Sequence, residues 1–224
     1  MTTKTKNKTA TRSQANKKSG GNGGRILLIV FGLIAVALIA AIVLSSNEPI
    51  GSAGEYGDPV ISGDSLPAFD ATSTLSADPA VGMVAPEVTG QDFSDNTVAI
   101  NPNGTPTAVL FIAHWCPHCR AEVPRVQAWI NSGGGVQGVN IISVTTAANS
   151  GQPNWPPSQW LKNEGWTQPN IRDDKNNSVF NAYGGGSFPF WVFLNGDGTV
   201  AARLAGETEV TTLQTVMESL QATG

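Results

Sequence analysis

Residues 107–113 (TAVLFIA) are separated by only His114 and Trp115 from Cys116-Pro117-His118-Cys119. No other stretch restricts the fold so tightly. A short apolar run without polar alternation suits a strand buried on both faces of a central sheet. The proline directly after the first cysteine suits the first turn of a helix, where its missing N–H removes no bond. A buried strand that passes straight into a helix implies helices layered on a sheet. Both histidines and both cysteines of the chain lie in the six residues 114–119. With Cys used nowhere else, the chain is no disulfide-stapled scaffold, and its core has to come from apolar burial.

The pattern downstream agrees. A short strand is expected at 98–100. The helix begun at Pro117 extends to about Ile130, with Pro124 expected to kink it, and Asn131-Ser132-Gly133-Gly134-Gly135 closes it. Residues 139–144 read as a second buried strand, and 157–164 and 177–183 as short helices, the latter closed by Gly184-Gly185-Gly186. Strands at 190–194 and 199–204 flank Asn195-Gly196-Asp197-Gly198, a strong hairpin signal. Val210, Leu213, Met217 and Leu220 recur at helical spacing, with Thr208 as the N-cap. The sum is an α/β layer structure with a mixed sheet.

Upstream, residues 26–44 (ILLIVFGLIAVALIAAIVL) carry no charge or strong polar group. A helix of that length matches a hydrocarbon core of ~30 Å. Seven of the thirteen basic residues precede it, and all seventeen acids follow it. The positive-inside rule then keeps the N-terminus cytoplasmic and exports the rest, giving a single-pass protein of the bacterial cytoplasmic membrane. A cleaved signal peptide would have a shorter apolar region and a small-x-small site, which Leu44-Ser45-Ser46-Asn47-Glu48-Pro49 does not offer. The expected organisation is a basic cytoplasmic tail at 1–25, a transmembrane anchor at 26–44, a flexible extracytoplasmic linker at 45–80 and a folded domain at 81–224. The acidic balance beyond the anchor should repel nucleic acid.

A C-x-x-C at a strand-to-helix junction has a direct chemical reading. Cys116 would sit where unpaired backbone N–H groups and the helix dipole favour an anion, so its thiolate, the form that attacks disulfides, is populated. Cys119 lies one turn on, placed to close a 116–119 disulfide. Pro117 and His118, between the cysteines, are the candidates for tuning that thiolate. Each pKa unit corresponds to about 1.4 kcal/mol, and that energy corresponds to ~30 mV for a two-electron couple, so His118 would make the disulfide a better oxidant. A lone C-x-x-C supplies half of a zinc site. Adding His114 and His118 would place four ligands in six residues, too tight a run to surround one ion, so no metal site is expected. His114 is read as a local loop residue.

Trp-Cys-Pro-His-Cys after an apolar strand resembles the thioredoxin superfamily, and CPHC is similar to the motif of DsbA-type thiol oxidases. The wider chain resembles the membrane-anchored TlpA/ResA branch. Gly82-Met83-Val84-Ala85-Pro86 is similar to that branch's entry into the domain, Cys119-Arg120-Ala121-Glu122-Val123-Pro124 to its C-x-x-E-x-P continuation, and Ser187-Phe188-Pro189-Phe190 to its cis-proline loop. The resemblance implies a thioredoxin-like fold, a central mixed β-sheet flanked by helices, preceded by one transmembrane helix. It implies that Pro189 is a cis proline facing the cysteines, with Phe188 offering backbone to a substrate and Trp115 packed beside the disulfide. Glu122 matches a carboxylate that assists proton transfer; without that role it would be a solvated helix residue. Two departures stand out. Leu110 occupies a position that often carries a polar or acidic residue, and His118 replaces the proline usual in TlpA-like motifs.

The function implied is dithiol–disulfide exchange with protein substrates outside the membrane, drawing on a redox partner in or outside the membrane and needing no cofactor. A thiol peroxidase is an alternative, although Ala113 stands where such enzymes want Thr. A copper- or partner-binding module is another, since thiolates suit Cu(I). The Trp- and Pro-rich segment 149–166 reads as a loop stapled to the core by its own aromatics, or as a partner surface.

Overall fold

The computed structural model describes residues 53–71 and 78–220. Residues 48–224 form a compact unit. The tail and the apolar segment 26–44 lie outside the described residues. Among the described residues no helix is long and apolar enough to cross a membrane.

A 3-10 turn, Ala53–Glu55, is followed by β1 (Val60–Ser62), β2 (Glu87–Gln91), β3 (Thr97–Ile100) and β4 (Thr107–Ile112). Helix α1 (Pro117–Asn131) leads to β5 (Asn140–Thr145), α2 (Pro157–Asn163), β6 (Asn170–Arg172) and α3 (Ser178–Ala182). The chain ends in β7 (Phe190–Leu194), β8 (Val200–Ala205) and α4 (Val210–Glu218). Strands β1, β2 and β3 form a small antiparallel sheet. The main sheet runs β6-β5-β4-β7-β8, with β5 parallel to β4 and β6, and β7 antiparallel to β4 and β8.

Every residue of β4 is buried because both faces of the central strand are covered. Ala108, Leu110 and Ile112 pack with Val123 and Val126 of α1 and Leu213 and Met217 of α4. Val109 and Phe111 point the other way, into a cluster with Tyr183, Phe190 and Val192. This is the alternation a pleated strand imposes, and it leaves Leu110 in an apolar layer.

In α1 the buried positions are Cys119, Glu122, Val123, Val126 and Gln127, the stripe expected of an amphipathic helix. Pro117 occupies the first turn, and the helix continues through Pro124. The N-cap of α4 is Glu209 rather than the expected Thr208, and no side chain caps it.

The main correction concerns the expected linker at 45–80. Its described residues, 53–71 and 78–80, belong to the fold. β1 pairs with β2, the Leu66 N–H donates to the Ala182 carbonyl at 2.8 Å, and the Phe69 N–H donates to Gly184 at 2.8 Å. Arg203 is completely buried. It donates through Nε to Asp78 Oδ2 at 2.9 Å and through Nη2 to Asp78 Oδ1 at 2.6 Å, and through Nη1 to the Pro67 carbonyl at 2.8 Å. A buried charge of this kind has to be paired. Gly184 permits the approach: its φ is +67°, and a Cβ there would meet the Pro67 oxygen at 2.1 Å.

Candidate active site

The end of β4 delivers the first cysteine to the start of α1. The Cys116 N–H donates to the Ala113 carbonyl at 3.0 Å, and the Arg120 N–H donates to the Cys116 carbonyl at 3.1 Å, forming the first turn. Cys116 caps the helix in an extended conformation. Both cysteines are thiols. Cys116 is 6% exposed and Cys119 is completely buried. The Cys116 thiol faces the Phe188 carbonyl at 3.7 Å, and the Phe188–Pro189 bond is cis. Cys119 Sγ accepts the Ala113 N–H at 3.4 Å. Burial pushes the Cys119 thiol far up, against the Ala113 N–H, with nearby Cys116 and the Glu122 charge adding to the rise. In the dithiol form the inner proton is therefore held firmly.

Glu122, one turn beyond Cys119, is completely buried rather than solvated. Its Oε1 accepts Trp191 Nε1–H at 2.8 Å. Its Oε2 accepts the Thr208 N–H at 3.0 Å and a short bond from Arg125 Nη2. Burial raises its pKa above the ordinary range, opposed by Trp191, Thr208 and Arg125. Arg125 also reaches Glu207 at 3.4 Å. Glu207 in turn takes His118 Nδ1 at 2.7 Å, and that bond holds the Glu207 carboxyl below its usual range. The His118 side chain is 65% exposed. Among the described residues its hydrogen-bond partner is Glu207, on the loop after β8, and not Cys116.

The opposite flank is neutral. His114 is completely buried. Its Nδ1 lies 2.8 Å from the Pro153 carbonyl, and its Nε2 accepts the Asn149 N–H at 3.1 Å. That pairing assigns the proton to Nδ1. Burial lowers the His114 pKa, against the Pro153 carbonyl and the Glu55 charge. Trp115 Nε1–H donates to the Ala147 carbonyl at 2.8 Å, and its ring meets Phe188 edge-on at 6.1 Å. The Trp- and Pro-rich segment is thus anchored by His114 at Asn149 and Pro153, and Trp115 holds Ala147 just before it.

A family profile described as Thioredoxin-like domain matches residues 93–221. The chain belongs to the thioredoxin-like family. No curated protein matches it significantly. Among solved structures it is similar to a DsbF homologue from Corynebacterium diphtheriae, at 18% identity and TM-score 0.55, covering 69% of this chain and 99% of that one. StoA from Bacillus subtilis is 22% identical, with TM-score 0.51 and coverage of 62% and 98%. A putative thiol:disulfide interchange protein DsbE from Chlorobium tepidum is 17% identical, with TM-score 0.51 and coverage of 62% and 96%. At these identities the likeness is one of fold. The thioredoxin-like match starts at Phe93, so the small sheet's β1 and β2 and the 53–71 segment lie before it.

Of the residues singled out from sequence, the thioredoxin-like fold gathers Trp115, Cys116, Cys119, Phe188 and Pro189 at one end of the main sheet. It sets Glu122 one helical turn from Cys119 and turns His118 outward. Sequence reasoning missed Arg125, Trp191, Glu207 and Thr208. Only Arg125 left a local signal, three residues after Glu122 on the same helix. Among the described residues no three His, Cys, Asp or Glu side chains converge on a metal position.

Proposed function

We propose that this protein is an extracytoplasmic thiol–disulfide oxidoreductase that exchanges a disulfide with protein substrates through Cys116 and Cys119. The observation that carries the reading is the asymmetry of the pair. Cys116 lies at a helix start against the Phe188 carbonyl, and Cys119 lies completely buried behind it. In the reducing direction the Cys116 thiolate attacks a substrate disulfide. A Cys116–substrate bond forms, the substrate S–S bond breaks, and the leaving sulfur takes a proton. Cys119 then gives up its proton and attacks Cys116, closing the 116–119 disulfide and releasing the second substrate thiol. Two electrons and two protons pass from the pair to the substrate. The oxidising direction is the reverse, with the substrate's second thiol resolving the mixed disulfide. Phe188 and Pro189 border the sulfur the substrate must reach, Trp115 walls the same opening, and the C-x-x-E-x-P resemblance supports Glu122 as the group that takes up the Cys119 proton.

The apolar segment 26–44, with basic residues before it and acids after it, supports a single-pass anchor with the N-terminus inside and the domain exported. His118 in CPHC supports an oxidising role, with Pro117 fixing the turn that carries it.

Redox titration of the 116–119 pair against glutathione tests the reading. A potential well above the roughly −270 mV of thioredoxin is expected, and His118→Pro should lower it by about 30 mV or more. A pair that never cycles overturns the exchange reading. An unchanged potential in His118→Pro overturns the oxidising role alone.

A further inference from the structure

The loop between β8 and α4 carries one carboxylate that reaches both His118 and Arg125 of α1. His118 Nδ1 lies 2.7 Å from Glu207 Oε1, and Arg125 Nη1 donates to Glu207 Oε2 at 3.4 Å. Exposed ion pairs are usually loosely held. This one is held by its backbone. On one side, the Gly206 N–H donates to the Pro189 carbonyl at 2.8 Å. On the other, Thr208 is buried. Its N–H donates to Glu122 Oε2 at 3.0 Å, and its carbonyl accepts Arg125 Nη2 at 3.1 Å. The residues before and after Glu207 are therefore tied to the cis-proline loop and to the buried carboxylate of α1. Gly206, at φ +87°, makes the turn between the two ties. Together they fix where the Glu207 carboxylate stands, beside the first turn of α1.

That placement bears on Cys116. His118 follows it by two residues, in the same first turn. An imidazole N–H turned toward Cys116, charged or neutral, stabilises its thiolate. Here the ring is turned to Glu207 instead, and the Cys116 thiol faces the Phe188 carbonyl at 3.7 Å. The Glu207 charge also offsets that of the imidazole, so the pair offers the sulfur less positive charge than His118 alone. Against glutathione, the 116–119 disulfide and two glutathione thiols give the dithiol and glutathione disulfide. Two electrons and two protons pass to the pair. Whatever stabilises the Cys116 thiolate favours the dithiol and raises the potential, and withdrawing the imidazole lowers it.

We infer that Glu207 is a positioning residue for the redox pair: it holds the His118 imidazole off Cys116 and sets the potential below the value CPHC would give without it. The inference rests on the exchange reading above. The fall expected for His118→Pro is the part of the imidazole's contribution that Glu207 leaves in place. The strength of CPHC as an oxidant is then set from a loop 89 residues away.

The experiment is a double-mutant cycle on full-length protein in detergent. Each variant is equilibrated with glutathione at about pH 7, and the dithiol fraction is read by mass spectrometry after acid quenching and alkylation. Glu207→Ala should raise the equilibrium constant for reduction about threefold over wild type, which is about 14 mV at ~30 mV per tenfold. Glu207→Gln, which removes the charge and keeps the size, should move it the same way. In the His118→Pro background, Glu207→Ala should change nothing. An unchanged or lower constant in the single variants overturns the inference while the exchange reading stands. So does a rise of equal size in the His118→Pro background, which would place the effect on the Glu207 charge or on Arg125 and not on His118. A wild-type pair that fails to cycle against glutathione overturns the exchange reading itself.

Discussion

On one side of the cysteines, Glu122, Arg125, Glu207 and His118 form a chain of charged contacts running from a buried carboxylate to an exposed imidazole. On the other side, His114 and Trp115 hold the loop that follows β5 through neutral groups, mostly bonded to backbone. The first flank contains the most deeply desolvated charge near the sulfurs, and the second works only while its histidine is uncharged. The two should therefore fail under different perturbations. Protons act on them in opposite directions, and salt reaches only the exposed end of the charged flank.

The comparison breaks most visibly at Glu122. Glu122→Ala leaves Trp191 Nε1–H and the Thr208 N–H without their acceptor and Arg125 without its buried partner, at a cost of about 3 kcal/mol. The folded-state pKa of Glu122 is raised. Folded protein thus keeps a proton that unfolded chain releases, and the stabilisation is lost as pH rises through the folded value. Urea denaturation across pH 4.5–7.5 should show the deficit of Glu122→Ala largest at the acid end. A deficit that grows with pH would contradict the account of this flank.

His114 sharpens the contrast. His114→Phe removes both loop contacts and should cost about 1–2 kcal/mol. The folded-state pKa of His114 is depressed below 6.5, so unfolded chain binds the extra proton first and stability falls as pH drops below about 6.5. The wild type should lose up to ~1.4 kcal/mol per pH unit in that window relative to His114→Phe. Parallel pH profiles for the two proteins would show that the imidazole is not held neutral.

The smallest effect is expected at Glu207. Its ion pairs with His118 and Arg125 are exposed to solvent and screened by salt. Glu207→Gln should leave the denaturation midpoint unchanged at 0.15 M salt. A clear shift would mean that the charged flank is coupled to its exposed end.

The sequence carried the parts of this molecule whose signal is local. Strand β4, helix α1, strand β5 and the β7–β8 hairpin announce themselves through unbroken apolar runs, a proline at a helix start and an Asn-Gly-Asp-Gly turn. Strands β1, β2 and β6 do not. β6 has three residues. β2 reads Glu-Val-Thr-Gly-Gln, and its Gly90 is there because a Cβ would meet Ile171 Cγ2 at 2.6 Å. The segment before β2 looks like linker because its attachments are distant, with Asp78 meeting Arg203 across 125 residues. The site divides in the same way. Cys116, Cys119 and His118 sit in one tetrapeptide, and a motif pointed to Pro189. Apart from Arg125, the partners of Glu122 and His118 lie 69, 86 and 89 residues away, where no spacing rule reaches.

The central claim is that one sulfur is presented for attack and the other is held protonated behind it. Timed alkylation of reduced, folded protein with iodoacetamide, read by peptide mass spectrometry, tests this directly. Modification at Cys116 should run to completion while Cys119 stays unmodified until the protein is denatured. Equal labelling of both cysteines, or no labelling of Cys116 before unfolding, would contradict it.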